Sequence, residues 1–220
     1  MKKIIIFGNK DLAQLAKYYF DNDKDYADYQ VVAFTVDNKY RDSESFEGLP
    51  LVDFDNLEDI YDPNEHMLFA PMTGIRMNKT REAIYNRGLQ KGYRFCSYIS
   101  SKATIFNNEI GDNCFILEDN TIQPFTKIGN NVVMWSGNHI GHHSVIEDNV
   151  FFTSHVVMSG HCNIGKNSWL GVNCTLRDGL CVGESTLIAM GSLVTKDTEI
   201  GGFYMGSPAK IQDKKSFEVY

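Results

Sequence analysis

Histidine is distributed very unevenly along this chain. Five of the six histidines lie between residues 139 and 161, namely His139, His142, His143, His155 and His161. An imidazole exchanges a proton near neutral pH and also ligates transition metals. So dense a group is more than packing requires, and it predicts a functional site in this segment.

Two chemistries compete for these histidines. In acyl transfer, a neutral imidazole takes the proton from an amine or hydroxyl as it attacks a thioester carbonyl, while backbone N–H groups hold the oxyanion. No covalent intermediate is needed when both substrates bind together, because positioning supplies much of the rate. A further alternative, outside both chemistries, is a non-catalytic nucleotide-binding scaffold; such a protein would not bind acyl-coenzyme A at all.

The second chemistry is a three-histidine zinc site like that of the carbonic anhydrases built on repeated six-residue units. Such a site needs a close pair of histidines separated by four residues. Here His139 and His143 are separated by three residues, and His155 and His161 by five. We therefore expect no metal ion as a cofactor.

The elements that position the histidines follow a period of six. Helices repeat every 3.6 residues and strands every 2, so neither alone produces this period, whereas a parallel β-helix does. Every sixth residue is large and apolar: Ile110, Ile116, Ile122, Ile128, Met134, Ile140, Ile146, Phe152, Met158, Ile164, Leu170, Leu176, Val182, Ile188, Val194 and Ile200. The earlier pair Ile99 and Ile105 lies one place out of register and predicts an irregular first coil.

A slower period of eighteen residues is also visible. Ile-Gly or Val-Gly pairs recur at this spacing, and the asparagines Asn113, Asn131, Asn149 and Asn167 recur in step with them. Three sixes make one triangular coil, and Gly and Asn favour the corners because they tolerate positive φ. The residue four places after each large one is mostly small, and in three coils it is a cysteine: Cys114, Cys162 and Cys174. No histidine takes either inward position, so all five are expected on the outside or at corners.

The first third of the chain has a different pattern. A buried strand over Lys3–Phe7 ends at Gly8, a helix follows, and a second strand over Val31–Val36 ends at Asp37. Strand, glycine turn, helix, strand and acidic residue is the order of a Rossmann-like nucleotide-binding half, although the full GxGxxG is absent. Asp37 either binds the ligand or simply forms a turn.

Composition excludes several classes of function. The chain is 43% hydrophobic and 22% charged with a net charge of -7, and no segment offers the basic face that nucleic acid requires. The apolar runs are too short for a membrane span or a signal sequence, so a cytoplasmic protein is expected. We expect a nucleotide-binding domain at 1–97, a β-helix at 98–202 and a C-terminal tail at 203–220.

These patterns resemble the hexapeptide-repeat sugar acyltransferases of the sialic-acid and bacillosamine type, which N-acetylate nucleotide-linked amino sugars. The resemblance depends on Ile5-Ile6-Phe7-Gly8, on the coils, on the segment from Gly141 to Ile146, and on the tail from Gly206 to Lys210. It implies an α/β Rossmann-like domain followed by an all-β left-handed parallel β-helix. It also implies a homotrimer with acetyl-coenzyme A bound between the coils of adjacent subunits.

The resemblance further implies that His142 is the general base. The next position is His143 rather than the family's acidic residue, so the orienting group is open among Glu118, Glu147 and a backbone carbonyl, with His143 or His155 assisting. Adjacent strand residues point to opposite faces, which predicts that only one of the two neighbouring histidines reaches the substrate.

The implied binding residues complete the prediction. Gly8, Asp37 and His155 are expected to contact the nucleotide sugar. The coenzyme is expected to contact Gly160, Ala189, Gly191 and the tail residue Lys210. The expected activity is acetyl-coenzyme A-dependent N-acetylation of a nucleotide-linked amino sugar in bacterial surface glycan synthesis, with sugar O-acetylation as the alternative.

Overall fold

The computed structural model describes residues 1–220. Its N-terminal part is a six-stranded sheet in the order β3-β4-β2-β1-β5-β6. The strands are β1 (Lys2–Phe7), β2 (Tyr29–Val36), β3 (Ser45–Phe46), β4 (Leu49–Asp53), β5 (His66–Phe69) and β6 (Arg94–Phe95). The helices are α1 (Asp11–Asn22), α2 (Leu57–Ile60) and α3 (Lys79–Gln90). None of them is long and apolar enough to cross a membrane.

The five strands β4, β2, β1, β5 and β6 run parallel, and only β3 pairs in the antiparallel sense. Their buried faces carry continuous apolar runs such as Ile4–Phe7, as expected of parallel strands covered on both sides. The order of the sheet changes direction at β1, which lies between β2 and β5. Gly8 and Asp37 therefore follow neighbouring strands at the same edge of the sheet.

The rest of the chain is a stack of triangular coils built from two-residue strands on three faces. Face one comprises β7 (Tyr98–Ile99), β10 (Phe115–Ile116), β13 (Val133–Met134), β16 (Phe151–Phe152), β19 (Trp169–Leu170) and β22 (Leu187–Ile188). Face two comprises β8 (Thr104–Ile105), β11 (Thr121–Ile122), β14 (His139–Ile140), β17 (Val157–Met158), β20 (Thr175–Leu176) and β23 (Leu193–Val194). Face three comprises β9 (Glu109–Ile110), β12 (Lys127–Ile128), β15 (Val145–Ile146), β18 (Asn163–Ile164) and β21 (Cys181–Val182).

The coils stack in register with a spacing of eighteen residues, so that His139 pairs with Val157 and Lys127 with Val145. The second residue of each strand points inward, and these residues together with the small positions form one apolar core. All five cysteines are free, and Cys114, Cys162 and Cys174 are buried in that core as the small-position pattern predicts. A parallel β-helix was therefore predicted correctly from the six-residue period.

The ends of the stack differ from the simple repeat. Ile105 and Ile110 are five residues apart although both pair in register with the next coil, which confirms the irregular first coil. The prediction for Ile200 is wrong, because this side chain is 73% exposed. The chain turns at Gly201, where φ is 67°, and returns to face one with Phe203 beside Leu187.

After this turn the tail continues face one. Strand β24 (Phe203–Gly206) joins β22 in parallel, and β25 (Ala209–Ile211) folds back against it. The ring of the terminal residue Tyr220 lies 4.0 Å from the ring of Trp169. The tail thus contacts the coils at both of its ends, while most of its residues are exposed.

The outer side of face one is covered by the N-terminal sheet and its helices. Tyr98, Phe115 and Trp169 share one apolar cluster with Ile4 and Phe20. Apolar surface buried in this way stabilises the contact by about 25 cal/mol per Å². The two parts of the molecule therefore have a common core.

A buried arginine joins the two parts at one corner of the coils. Arg81 of α3 is fully buried, and its guanidinium donates to the carbonyl of Asn149 at 2.7 Å and to that of Asn131 at 3.2 Å. Burial lowers the pKa of Arg81 to about 9, which still leaves the group charged at neutral pH. The cation thereby satisfies carbonyl groups that would otherwise be buried without partners.

Candidate functional site

Three of the histidines meet at one corner of the coils. His142 and His143 lie in the turn after β14, and His161 lies in the equivalent turn of the next coil. The three ring centroids are 5.0 to 5.1 Å apart, and all three side chains are exposed. We call this group the histidine corner.

The backbone of the turn directs the rings toward one another. His143 and His161 have left-handed φ values of 54° and 58°. His142 donates its backbone N–H to Gln123 Oε1 at 3.0 Å and accepts the N–H of His161 at 2.9 Å. The expectation that adjacent histidines point to opposite faces is therefore wrong, because the segment is a turn and not a strand.

The imidazole of His142 lies over Gly160, which occupies the same position one coil later. A Cβ on Gly160 would stand 2.9 Å from Cε1 and 3.1 Å from Nε2 of this imidazole. Side-chain atoms essentially never approach so closely, so any larger residue at 160 displaces the ring. The sequence predicts that Gly160 contacts the coenzyme; in the structure it also lies against the ring of His142.

The candidate groups for orienting His142 differ in what they contact. Glu118 accepts hydrogen bonds from Tyr19 at 2.8 Å and from Ser136 at 2.7 Å, and Glu147 accepts one from the backbone N–H of Lys166 at 3.0 Å. The Nδ1 atoms of His142 and His143 are 3.0 Å apart. Among the candidate orienting groups, His143 is therefore the one whose ring nitrogen contacts that of His142.

His155 lies outside the histidine corner. It follows β16, at the opposite end of face two, and its ring covers Gly137, where a Cβ would approach Nδ1 to 2.5 Å. Between the two corners, His139 is half-buried on the outer side of face two. One chain alone does not bring His155 and His142 into a single site.

The other candidates for coenzyme binding are also separated from Gly160. Ala189 and Gly191 belong to the corner that carries His155, two coils further along. Lys210 is exposed on β25, where it pairs with Met205 of β24. These residues form one group near the end of the stack, and Gly160 belongs to a different corner.

The candidate nucleotide residues lie together at the edge of the N-terminal sheet. Gly8 has a φ of 130°, and a Cβ there would stand 3.1 Å from the Cβ of Ala13. Asp37 accepts a hydrogen bond from Arg87 Nη1 at 2.8 Å, and Arg87 also contacts Asp55. Sequence reasoning missed Arg87, because its pairing with Asp37 depends on how α3 packs on the sheet.

A family model for the bacterial transferase hexapeptide (six repeats) matches residues 109–142, which span β9 to His142. The match covers 34 of the 220 residues, and the same six-residue spacing continues through the later coils. Together with the parallel stacking, this match and the likeness to solved structures establish the left-handed β-helix.

Solved structures share the fold over nearly the whole chain. The acetyltransferase domain of PglB from Neisseria gonorrhoeae FA1090 superposes with a TM-score of 0.84 at 20% identity, covering 96% of this chain and 100% of that one. A variant of perosamine N-acetyltransferase from Caulobacter crescentus, in complex with CoA and GDP-perosamine, gives 0.86 at 18% identity, covering 97% and 98%. WeeI from Acinetobacter baumannii AYE gives 0.79 at 19% identity, covering 96% and 100%.

Similarity in sequence to curated proteins covers a smaller share of the chain. A protein of Staphylococcus aureus (strain MRSA252) named as an acetyltransferase is 38% identical over 61 residues, which are 28% of this chain and 31% of that protein. Serine acetyltransferase 4 of Arabidopsis thaliana is 32% identical over 100 residues, 41% of this chain and 28% of that protein. The chain thus matches less than a third of the length of either relative.

Proposed function

We propose that this protein is an acetyltransferase that transfers the acetyl group of acetyl-coenzyme A to the amine of a nucleotide-linked amino sugar. The observation that carries the proposal is the seat of His142: an exposed imidazole over Gly160, held by its backbone to Gln123 and in contact with His143. An exposed histidine on a fixed backbone, with a ring nitrogen facing solvent, suits a general base.

The contact between the two Nδ1 atoms indicates how the base is prepared. One of them must donate to the other at 3.0 Å. When the Nδ1–H of His142 donates to His143, the Nε2 of His142 is left unprotonated. That nitrogen takes the proton of the attacking amine, the amine nitrogen bonds to the acetyl carbon, and the coenzyme leaves as the thiolate and is then protonated.

This transfer needs no covalent enzyme intermediate. Both substrates are held together, and backbone N–H groups stabilise the negative charge that develops on the carbonyl oxygen. His142 is the catalytic residue of the proposal and His143 its orienting partner. No metal ion takes part in the transfer.

The proposed coenzyme site lies between two subunits of a homotrimer. Gly160 and the group Ala189, Gly191 and Lys210 lie at different corners, and we place the coenzyme between neighbouring chains, where one ligand can touch both sets. Val157 and Leu193 support this association, because their side chains point outward from face two and are 43% and 36% exposed. Apolar side chains on an outer face favour contact with another subunit.

The N-terminal sheet is the proposed nucleotide site. We assign residues 1–97 to a Rossmann-like nucleotide-sugar-binding domain, 98–202 to the acyltransferase domain and 203–220 to a tail that contacts the coenzyme. Gly8 and Asp37 lie at the carboxyl edge of the sheet next to β1, where the strand order reverses and ligands of such sheets usually bind. His155 completes the sugar site from a neighbouring chain.

The comparisons support the choice of substrates. The perosamine N-acetyltransferase bound to CoA and GDP-perosamine shares the fold of both the sheet and the coils, over 97% of this chain. By analogy, the acceptor is a nucleotide-linked amino sugar used in bacterial surface glycan synthesis. Acetyl-coenzyme A is a cytoplasmic metabolite, and the proposal accordingly places the protein in the cytoplasm.

A ligand screen followed by an activity assay tests this function. The melting temperature is measured with UDP-, dTDP-, GDP- and CMP-linked amino sugars in the presence of coenzyme A, since ligands of the native state raise it. The stabilising sugar is then incubated with acetyl-coenzyme A, and thiol release and the acetylated atom are determined. Acetylation of nitrogen supports the proposal and acetylation of oxygen favours the alternative, whereas a protein that does not bind coenzyme A is a scaffold and overturns it.

A further inference from the structure

The histidine corner has a second property that acyl transfer does not use. His142, His143 and His161 each offer a ring nitrogen, and these three nitrogens all lie within 4.8 Å of one another. We propose that the corner binds one divalent transition-metal ion such as Zn²⁺, and that this ion is a reversible inhibitor rather than a cofactor.

The geometry fits a three-histidine site. A zinc ion binds imidazole nitrogens at about 2.0–2.1 Å in tetrahedral geometry, so its ligand atoms lie within a few ångströms of one another. All three side chains are exposed, and in the proposed site rotation of their rings brings the nitrogens from within 4.8 Å to this separation. Three neutral imidazoles also suit Zn²⁺, Cu²⁺ and Ni²⁺, and water takes the fourth position.

The backbone that carries the three ligands is already fixed. The N–H of His161 donates to the carbonyl of His142 at 2.9 Å, and the N–H of His143 donates to that of Pro124 at 3.3 Å. The rings of His143 and His161 are stacked with an angle of 18° between their planes. Binding therefore orders only side chains, which keeps its entropic cost low.

The coil spacing explains why linear spacing did not indicate this site. His143 and His161 are one coil apart, eighteen residues in the sequence, and they belong to a column that also contains Phe125. A search for histidines four residues apart does not test such a column. The site is formed by stacking of coils within a single chain.

Inhibition follows from the identity of one ligand and depends on the proposed function. A metal ion bound to a ring nitrogen of His142 occupies the lone pair that accepts the proton or turns the ring away from the acceptor. Transfer then stops until the ion leaves. His161 is absent from the proposed transfer step, and its loss is expected to remove the ion without removing the base.

The binding test uses the full-length protein after treatment with EDTA and desalting. Calorimetric titration with Zn²⁺ is expected to give one ion per chain, and NMR is expected to show three of the six imidazoles shifted. His161→Asn suits the left-handed backbone at this position and should weaken binding by at least about tenfold. His155→Asn is the matched control, since its φ of 59° is equivalent but it lies at another corner, and it should bind Zn²⁺ like the wild type.

The activity test separates the site from the function. Zn²⁺ is expected to stop acetyl transfer and EDTA to restore it, while His161→Asn keeps most of its activity and needs about tenfold more Zn²⁺. Equal Zn²⁺ affinity in the wild type and a folded His161→Asn overturns the metal site and leaves the transferase proposal intact. Binding at the three histidines without inhibition overturns the inhibitory role and removes His142 as the base. A protein that binds Zn²⁺ in this way but transfers no acetyl group keeps the site and loses the proposed function.

Discussion

His142 and Gly160 occupy equivalent positions in adjacent coils, and the imidazole of His142 fills the space where a side chain at 160 would stand. A Cβ there would come 2.9 Å from Cε1 of the ring. The orientation of the proposed base thus depends on the absence of a side chain in the next coil.

Replacing Gly160 with alanine tests this dependence. The added methyl group is expected to push the ring of His142 away. It should lower kcat by about 10–100-fold, because a displaced base supplies less of the rate enhancement. Gly160 does not have a positive φ, so the fold should be retained. The matched background is His142→Asn, in which Gly160→Ala should have no further effect on kcat. Independent effects of the two changes would show that Gly160 does not act through His142.

Asp37 and Asp55 both contact Arg87, and this arrangement provides a matched pair of variants. Asp37 is half-buried at the proposed nucleotide site, and Asp55 is exposed on the far side of the guanidinium. Asp37→Asn is expected to reduce the rise in melting temperature caused by the sugar nucleotide and to leave binding of coenzyme A unchanged. Asp55→Asn should change neither. Undiminished nucleotide binding by Asp37→Asn would leave this carboxylate as a partner of Arg87 only.

The shared core predicts that the sheet and the coils unfold together. Arg81→Met leaves the carbonyls of Asn131 and Asn149 buried without a donor, and it should lower the free energy of unfolding by about 3 kcal/mol. Differential scanning calorimetry should show one transition in the wild type and in the variant. Arg177→Met, at an exposed coil corner, is the control and should change stability little. Two separate transitions would contradict a common core.

Two carboxylates at the contact between sheet and coils predict sensitivity to acid. Partial burial would raise the pKa of Asp23, but hydrogen bonds from the Ser101 N–H and the Tyr98 hydroxyl outweigh it and lower this pKa. Burial likewise opposes the hydrogen bonds from Ser136 and Tyr19, which together lower the pKa of Glu118. A pKa below its unfolded value of about 4 means that stability is present above that pH and is lost as pH falls through the folded-state pKa.

Asp23→Asn should therefore be less stable than the wild type at pH 7. At the lowest pH at which both proteins stay folded the gap should be smaller, because the wild-type carboxylate becomes protonated as pH falls toward its lowered pKa. Melting temperatures across this range give the comparison. Asp59→Asn, an exposed change in α2, is the control: its melting temperature should change between the two pH values by the same amount as that of the wild type. A gap between Asp23→Asn and the wild type that stays constant with pH would show that ionisation of Asp23 does not stabilise the fold.

The repeat made the coils predictable because an inward position in a β-helix is a local property. Each large residue from Ile116 to Val194 is buried at its expected place, and the eighteen-residue spacing appears as the register of strand pairing. The pattern did not reveal where the stack ends, because Ile200 has the right residue type but lacks a following coil. The turn at Gly201 decides that point.

The histidine corner was predictable in part. Its histidines and their exposure were predicted from the sequence. The eighteen-residue period also implies that His143 stacks beside His161 and His142 beside Gly160. Convergence of the neighbouring rings did not follow, because the left-handed φ of His143 belongs to the turn. Contacts that join the sheet to the coils, such as Tyr19 with Glu118, depend on packing between distant segments and leave no periodic signal.

The central claim is that His142 is the general base, and paired substitutions test it most directly. His142→Asn keeps the size and some hydrogen bonding of the side chain but does not accept the amine proton. We expect kcat to fall by about 10²–10⁴ with little change in KM for either substrate, and His143→Asn to cost less because His143 only orients the ring. Both variants are assayed for acetyl transfer to the stabilising sugar nucleotide over pH 6–9. A His142→Asn protein with near-native kcat, beside an inactive His143→Asn protein, would contradict the assignment.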